Sequence, residues 1–237
     1  MTESQTSSSV LTAVLQPRWI DSLVVLSDMQ IPHHDTVTLG VVHDFLKNFQ
    51  PDDLILNGDI ADFAALSNYR LTLQQREGLR EELALLRNEL YSLRDILPKT
   101  RIRYILGNHE ERLAHYITDH APELEFLANG ALSLEALAGT KDLDIEVVGP
   151  YGASVDWYGL MVTHGTIIRD NTAKANLIHE GSSGVSGHTH RLSSYYKTDR
   201  SGTHAWYEGG CLCLLTGPHM PPPARPGVAD WQQGFVV

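Results

Sequence analysis

Five short polar motifs occur in a fixed order along this chain. They read Asp28-Met29-Gln30-Ile31-Pro32-His33-His34, Gly58-Asp59-Ile60-Ala61-Asp62, Gly107-Asn108-His109-Glu110, Thr163-His164-Gly165 and Gly187-His188-Thr189-His190. The first four follow apolar runs, Leu23-Val24-Val25-Leu26, Leu54-Ile55-Leu56, Ile102-Arg103-Tyr104-Ile105-Leu106 and Leu160-Met161-Val162. Runs so rich in branched apolar residues read as buried strands of an α/β protein. In such sheets, sites assemble outside the carboxyl ends of the strands, where loops converge. Asp, Asn and His delivered to four such ends could fill two adjacent metal sites, the arrangement behind metal-assisted phosphoester hydrolysis. Gly58, Gly107, Gly165 and Gly187 beside them permit tight turns and close approach of backbone to an ion or a phosphate.

At 237 residues and 42% hydrophobic content, the chain can bury a substantial core without disulfides, and 1–237 reads as a single domain. Within it, 1–18 reads as a flexible start and 66–98 as a long helical insertion. Residues 217–237 read as a Pro-rich tail whose last stretch, from Trp231, can dock as an apolar segment. A first helix is expected from Thr36 to Phe49, with apolar spacing at Val37, Val41, Val42, Phe45 and Leu46. The insertion carries leucines at 79, 83, 86, 90, 93 and 97, one seam along a helix from near Thr72 to just before Pro98. The seam is expected to pack on the protein's own body, with a homodimer contact or a lid over the site as other uses. Shorter helices are expected at 110–118, 122–127 and 132–137. The C-terminal third reads as a second sheet, with strands at 153–158, 160–163, 185–186, 194–197, 203–207 and 211–215 and a hairpin turn at Asp199-Arg200-Ser201-Gly202.

Cys211 and Cys213 would share one face of a strand. So close a pair suits packed thiols in a reducing compartment better than a disulfide or a metal cluster. No apolar stretch reaches membrane-spanning length and no leader pattern precedes the first strand, so a cytoplasmic protein is expected, in the host cytoplasm if phage-encoded. A formal charge of −11 argues against a surface that tracks long duplex nucleic acid through many phosphate contacts. It leaves room for a small phosphorylated substrate or nucleotide, because two bound divalent ions would dominate the local field.

Together, Asp28, Gly58-Asp59-x-x-Asp62, Gly107-Asn108-His109-Glu110, His164 and Gly187-His188-x-His190 resemble the calcineurin-like metallophosphoesterase superfamily, from Asp28 to His190. The resemblance implies an α/β four-layer αββα sandwich of two mixed β-sheets flanked by helices. It also implies two divalent metal ions, Mn first, with Fe, Zn or Ni as alternatives. Asp59 would bridge both ions, Asp28 and His190 would hold the first, and Asn108, His164 and His188 the second. His109 would donate a proton to the leaving oxygen, with Asp62 orienting its imidazole. One position departs. The family's first motif is usually Asp-x-His, and here the third residue is Gln30. Gln30 could coordinate through its amide oxygen, sit behind the ligands or leave the first site loose. His33 or His34 could replace it as a ligand, or one of the two could contact substrate. Arg112 and Arg191 each lie within three residues of a proposed site residue, where either could bind a phosphate oxygen or form a surface salt bridge.

The expected reaction is hydrolysis of phosphodiester bonds in small or cyclic nucleotides by metal-activated water. The compact chain and its Asp-x-Gln-x-Pro motif resemble bacterial and phage phosphodiesterases. A DNA nuclease of the superfamily would add a basic or aromatic-rich extension, which is not visible, and a Ser/Thr-type phosphomonoesterase is a further alternative. A non-catalytic scaffold would be expected to lose ligands or the proton donor. Here only Gln30 is altered and His109 remains.

Overall fold

The computed structural model describes residues 21–67, 78–128, 130–216 and 230–237. Strands β1 (Leu23–Leu26), β2 (Asp53–Asn57), β3 (Arg101–Ile105) and β4 (Ile145–Val148) lie side by side in that order, all parallel. A single antiparallel bridge, Val25 with Val236, sets the C-terminal segment beside β1. The second sheet has the order β5 (Ser154–Trp157), β6 (Leu160–Thr163), β7 (Gly184–Ser186), β9 (Gly202–Gly209), β8 (Leu192–Asp199). It is parallel in the middle and antiparallel at both edges.

The period-2 alternation of the first sheet sorts its apolar side chains onto two faces. Val24, Leu26, Leu54, Leu56, Ile102 and Tyr104 face Leu39, Val42 and Leu46 of α1 (Thr36–Phe49) and Leu86, Leu90 and Leu93 of α2 (Leu79–Ile96). Leu23, Val25, Ile55 and Ile105 point the other way and meet Val155, Val162 and Val185 of the second sheet. Helix α6 (Thr172–Glu180) covers that sheet's far face, with Ala173 and Leu177 against Trp206. Helices, sheet, sheet and helix therefore form four layers, as the resemblance implies. Each fully buried aliphatic side chain in them contributes about 1.5–3 kcal/mol. Between the sheets the buried carboxylate of Asp53 accepts from Arg101, Arg103 and Trp157, which offsets its desolvation.

Several expectations need correction. Asp35 caps α1 by accepting from the backbone N–H groups of Val37 and Thr38. The helix then turns Leu39, Val42 and Leu46 inward and leaves Val37 and Val41 77% and 63% exposed. In α2, Leu86, Leu90 and Leu93, followed by Leu97, are fully buried in the chain's own core, so the seam packs on the protein's own body as expected. The expected start of that helix near Thr72 lies outside the described residues, as do 1–18 and the tail's first part, 217–229. The expected strand at 211–215 is reduced to two isolated bridges, Cys211 with Gln233 and Cys213 with His34. It threads between the β1 loop and the C-terminal segment with no continuous partner. Strand β4 has no counterpart among the expected strands, because Glu146 interrupts its apolar run. The shorter helices are α3 (Glu111–His120), α4 (Glu125–Ala128) and α5 (Leu134–Ala138). The hairpin falls where expected, with Asp199 paired to Gly202. Among the described residues no helix is long and apolar enough to cross a membrane.

Candidate metal centre

All five motifs emerge at one end of the two sheets. Asp28 follows β1, Asp59 follows β2, Asn108 and His109 follow β3, His164 follows β6, and His188 and His190 follow β7. The first two loops are zipped together by Asp28 N–H to Gly58 O (3.1 Å), Gln30 N–H to Asp59 O (2.9 Å) and Ile31 N–H to Ile60 O (2.8 Å). Asp28, Gln30, Asp59, His188 and His190 all take left-handed backbone conformations, with φ between 49° and 68°. Such residues persist only where surrounding bonds fix them, and they cluster at functional sites. Two glycines permit the close approach: a Cβ on Gly107 would strike the Asp59 carboxylate, and one on Gly187 would strike Ser27 and Asp28.

Two buried carboxylates anchor the pocket. Asp59 Oδ2 lies 3.4 Å from His164 Nε2 and 3.6 Å from His109 Nε2, while its Oδ1 accepts the His109 backbone N–H at 2.9 Å. Asp28 Oδ1 lies 3.0 Å from His190 Nε2, and its Oδ2 accepts from the His188 N–H at 3.0 Å and from the Ser27 hydroxyl. Burial alone would raise both carboxyls. The neighbouring imidazoles, His190 for Asp28 and His164 for Asp59, outweigh it and hold both below the usual carboxylate range. Burial likewise pulls His164 down, but Asp59 lifts it to about 10. His164 Nδ1 donates to Asn57 O at 2.7 Å. That bond aims Nε2 at Asp59, as an orienting partner does for a metal-ligating imidazole.

The donor set fits divalent ions. Asn108 Oδ1, His164 Nε2 and His188 Nδ1 are buried without a hydrogen-bond partner. Leaving such groups unsatisfied costs about 1–3 kcal/mol each, a cost that coordination would remove. Ligand atoms of Asp59, His164 and His188 lie within 4.8 Å of one another. Mixed carboxylate, amide and imidazole donors suit Mn, Fe or Zn.

On the opposite wall, His109 Nδ1 is 2.8 Å from Asp62 Oδ1, the pairing the motif spacing suggests. Arg112 donates to the Asp62 carbonyl and carboxylate at 2.8 and 3.2 Å, and its second terminal nitrogen lies 3.0 Å from His109 Nε2. Burial lowers the His109 pKa, but Asp59 and Asp62 outweigh it and raise it. Gln30 reaches the first-ion side, its amide nitrogen 3.3 Å from His190 Nε2. His33 does not replace it there: its Nε2 sits 3.5 Å from Asp62 Oδ2, on the His109 side. His34 makes no ion pair with the pocket's carboxylates among those of the described residues. Burial lowers its pKa, the charges that act on it are those of Glu89, His33, Asp35 and His43, and its Nδ1 is buried without a hydrogen-bond partner. Arg191 donates to Arg169 O and Thr172 Oγ1 at 2.6 and 2.8 Å, so it ties the loop before α6. The carboxylate near it, Glu208 at 3.9 Å, is buried rather than on the surface.

Tyr104, Glu110 and Tyr151 support the site without being marked as such by the sequence. Glu110 accepts from the N–H groups of Asp59, Ile60, Ala61 and Gly107 and from the Tyr104 hydroxyl, all within 2.7–3.0 Å. Its place in Gly-Asn-His-Glu was the only available signal. Tyr151 gave none; its hydroxyl donates to Gly165 O at 3.0 Å, and its ring lies 6.0 and 6.3 Å from those of His164 and His188.

Residues 22–236 match the calcineurin-like phosphoesterase family. The chain is 27% identical to the Gene 54 protein of Mycobacterium phage L5 over 91% of its own length and 87% of that protein. It is 26% identical to the Gene 54 protein of Mycobacterium phage D29, over 90% and 86%. Among solved structures it is similar to a dimetal phosphatase from Danio rerio, with TM-score 0.40 and 9% identity over 81% of this chain and 88% of that one. With the ordered motifs, the two-sheet sandwich and a family match over nearly the whole length, the chain belongs to the calcineurin-like phosphoesterases, a family of metal-dependent phosphoester hydrolases.

Proposed function

We propose that this protein is a phosphodiesterase of small or cyclic nucleotides. In this reading, Asp28 and His190 hold a first Mn2+, with Gln30 beside them, and Asn108, His164 and His188 hold a second, with Asp59 shared. The observation that carries it is the convergence of the partnerless ring nitrogens of His164 and His188 on the buried Asp59 carboxylate, with Asn108 Oδ1 likewise buried without a partner. When bound, two divalent ions would clamp a phosphoryl group and lower the pKa of water. The chain's own part is orientation and proton delivery. Asp62 pins His109 Nδ1, so Nε2 faces the reacting region and is the atom that delivers a proton to the leaving oxygen. Arg112 fixes that pair and brings a guanidinium to the same wall, where it suits a substrate phosphate oxygen. With a net charge of −11, the reading favours small diesters over long duplexes, and the phage relatives favour a host cytoplasm as its setting.

His109→Ala should lower kcat on bis-p-nitrophenyl phosphate by about 10²–10⁴-fold while leaving bound-metal content intact; an undiminished rate would remove His109 from the mechanism. The substrate reading is tested by comparing kcat/KM, with Mn2+, for that diester, its monoester, cyclic nucleotides and single-stranded DNA. Preference for the diester and a cyclic nucleotide is expected, and preference for the monoester or for DNA would overturn it.

A further inference from the structure

Behind His190, on the side away from Asp28, lies a second cluster that the hydrolytic reading does not use. Cys211 and Cys213 are both fully buried and free. Ligand atoms of His190, Cys211 and Cys213 lie within 4.8 Å of one another, and Cys213 Sγ is 3.8 Å from His190 Nδ1. A tetrahedral zinc site with two sulfurs and one imidazole nitrogen needs donor separations of about 3.5–3.8 Å. The walls are held by backbone. Cys211 N–H donates to Gln232 O at 3.0 Å, Gly234 N–H to Cys211 O at 3.1 Å, and Gln232 N–H to His190 O at 2.9 Å. The Trp231 ring closes over His190 with centroids 4.1 Å apart. This order runs against the inert thiols expected from sequence.

We propose that His190 Nδ1, Cys211 Sγ and Cys213 Sγ form a site for one thiophilic divalent ion, zinc or cadmium, and that filling it withdraws His190 from the hydrolytic centre. A neutral imidazole has one lone pair and one N–H. With the thiol site empty, Nδ1 carries the proton and faces Cys213, and the Nε2 lone pair is available on the Asp28 side. Binding releases two thiol protons to solvent and takes the lone pair at Nδ1. The imidazole proton then resides on Nε2, 3.0 Å from Asp28 Oδ1, where it donates to the carboxylate and no longer serves as a ligand. The two ions thus compete for one ring. The inhibitory half rests on the assignment of His190 to the first hydrolytic ion, whereas occupation of the thiol site does not.

The test uses the full chain preloaded with Mn2+ and titrated with Cd2+. Cys211 and Cys213 are its only cysteines, so a thiolate-to-metal charge-transfer band can come from nowhere else. The band should rise to saturation at one Cd2+ per chain, and its absence overturns the site without involving any variant. In Cys213→Ala, checked for folding by circular dichroism, the band should be lost, and a band of wild-type size also overturns the site. In parallel, hydrolysis should fall by about tenfold or more as the band saturates, the scale on which disturbing a metal ligand's support acts. In Cys213→Ala the same Cd2+ should leave that variant's own rate within about twofold. A full band with unchanged hydrolysis would overturn the competition for His190. Wild-type protein with no hydrolysis before Cd2+ is added would instead count against the phosphodiesterase reading, and the presence or absence of the band would still decide whether the thiol site exists.

Discussion

Asp59→Asn is expected to cut hydrolysis of bis-p-nitrophenyl phosphate by roughly 10³-fold or more, equivalent to about 4 kcal/mol of transition-state stabilisation. The substitution is nearly isosteric. Asp59 sits at φ 52°, a region Asn tolerates well, and an amide oxygen can still accept the His109 N–H that Oδ1 accepts now. What disappears is the negative charge between His164 and His109, the charge that would hold two cations together. The variant should therefore keep its circular dichroism spectrum while losing turnover and metal. A rate within tenfold of the parent would show that the carboxylate is not shared between ions.

Glu110→Ala should be the most damaging single change to stability. The carboxylate serves four backbone N–H groups and a tyrosine hydroxyl in a fully enclosed setting. Three of those N–H groups lie in the loop that presents Asp59, so folding and site geometry fail together. Each unsatisfied donor costs about 1–3 kcal/mol before relaxation. Allowing for partial rearrangement, a loss of about 3–5 kcal/mol is expected, which lowers Tm by roughly 10 °C in a chain of this size. Differential scanning calorimetry reads this directly, and a shift below about 3 °C would contradict it. Glu110→Gln should fall between, since its amide brings N–H groups toward donors that need an acceptor.

The two-layered sheet core and the polar positions that gather at its strand ends were legible because both are local patterns. A branched apolar run marks a strand, and a Gly, Asp, Asn or His directly after it marks that strand's end. What stayed hidden depends on contacts between distant segments. The approach of Cys213 to His190 Nδ1 joins segments that the one-dimensional pattern leaves unrelated. The sequence left His33 and His34 as alternatives for one place, whereas His33 Nε2 lies 3.5 Å from Asp62 Oδ2 and His34 Nδ1 is buried without a hydrogen-bond partner. Likewise the apolar spacing read in α1 included Val37 and Val41 and missed Leu39, because only the sheet beneath the helix selects Leu39, Val42 and Leu46. Alternation along a strand places Cys211 and Cys213 on one face but says nothing about the His190 imidazole beside them.

The most direct test is a crystal structure of Mn2+-soaked protein with anomalous scattering recorded at the manganese edge. Two peaks about 3.5–4 Å apart should flank the Asp59 carboxylate, one beside Asp28 and His190 and the other beside Asn108, His164 and His188. A single peak that Asp59 does not touch, or none in this pocket, would contradict the dinuclear centre.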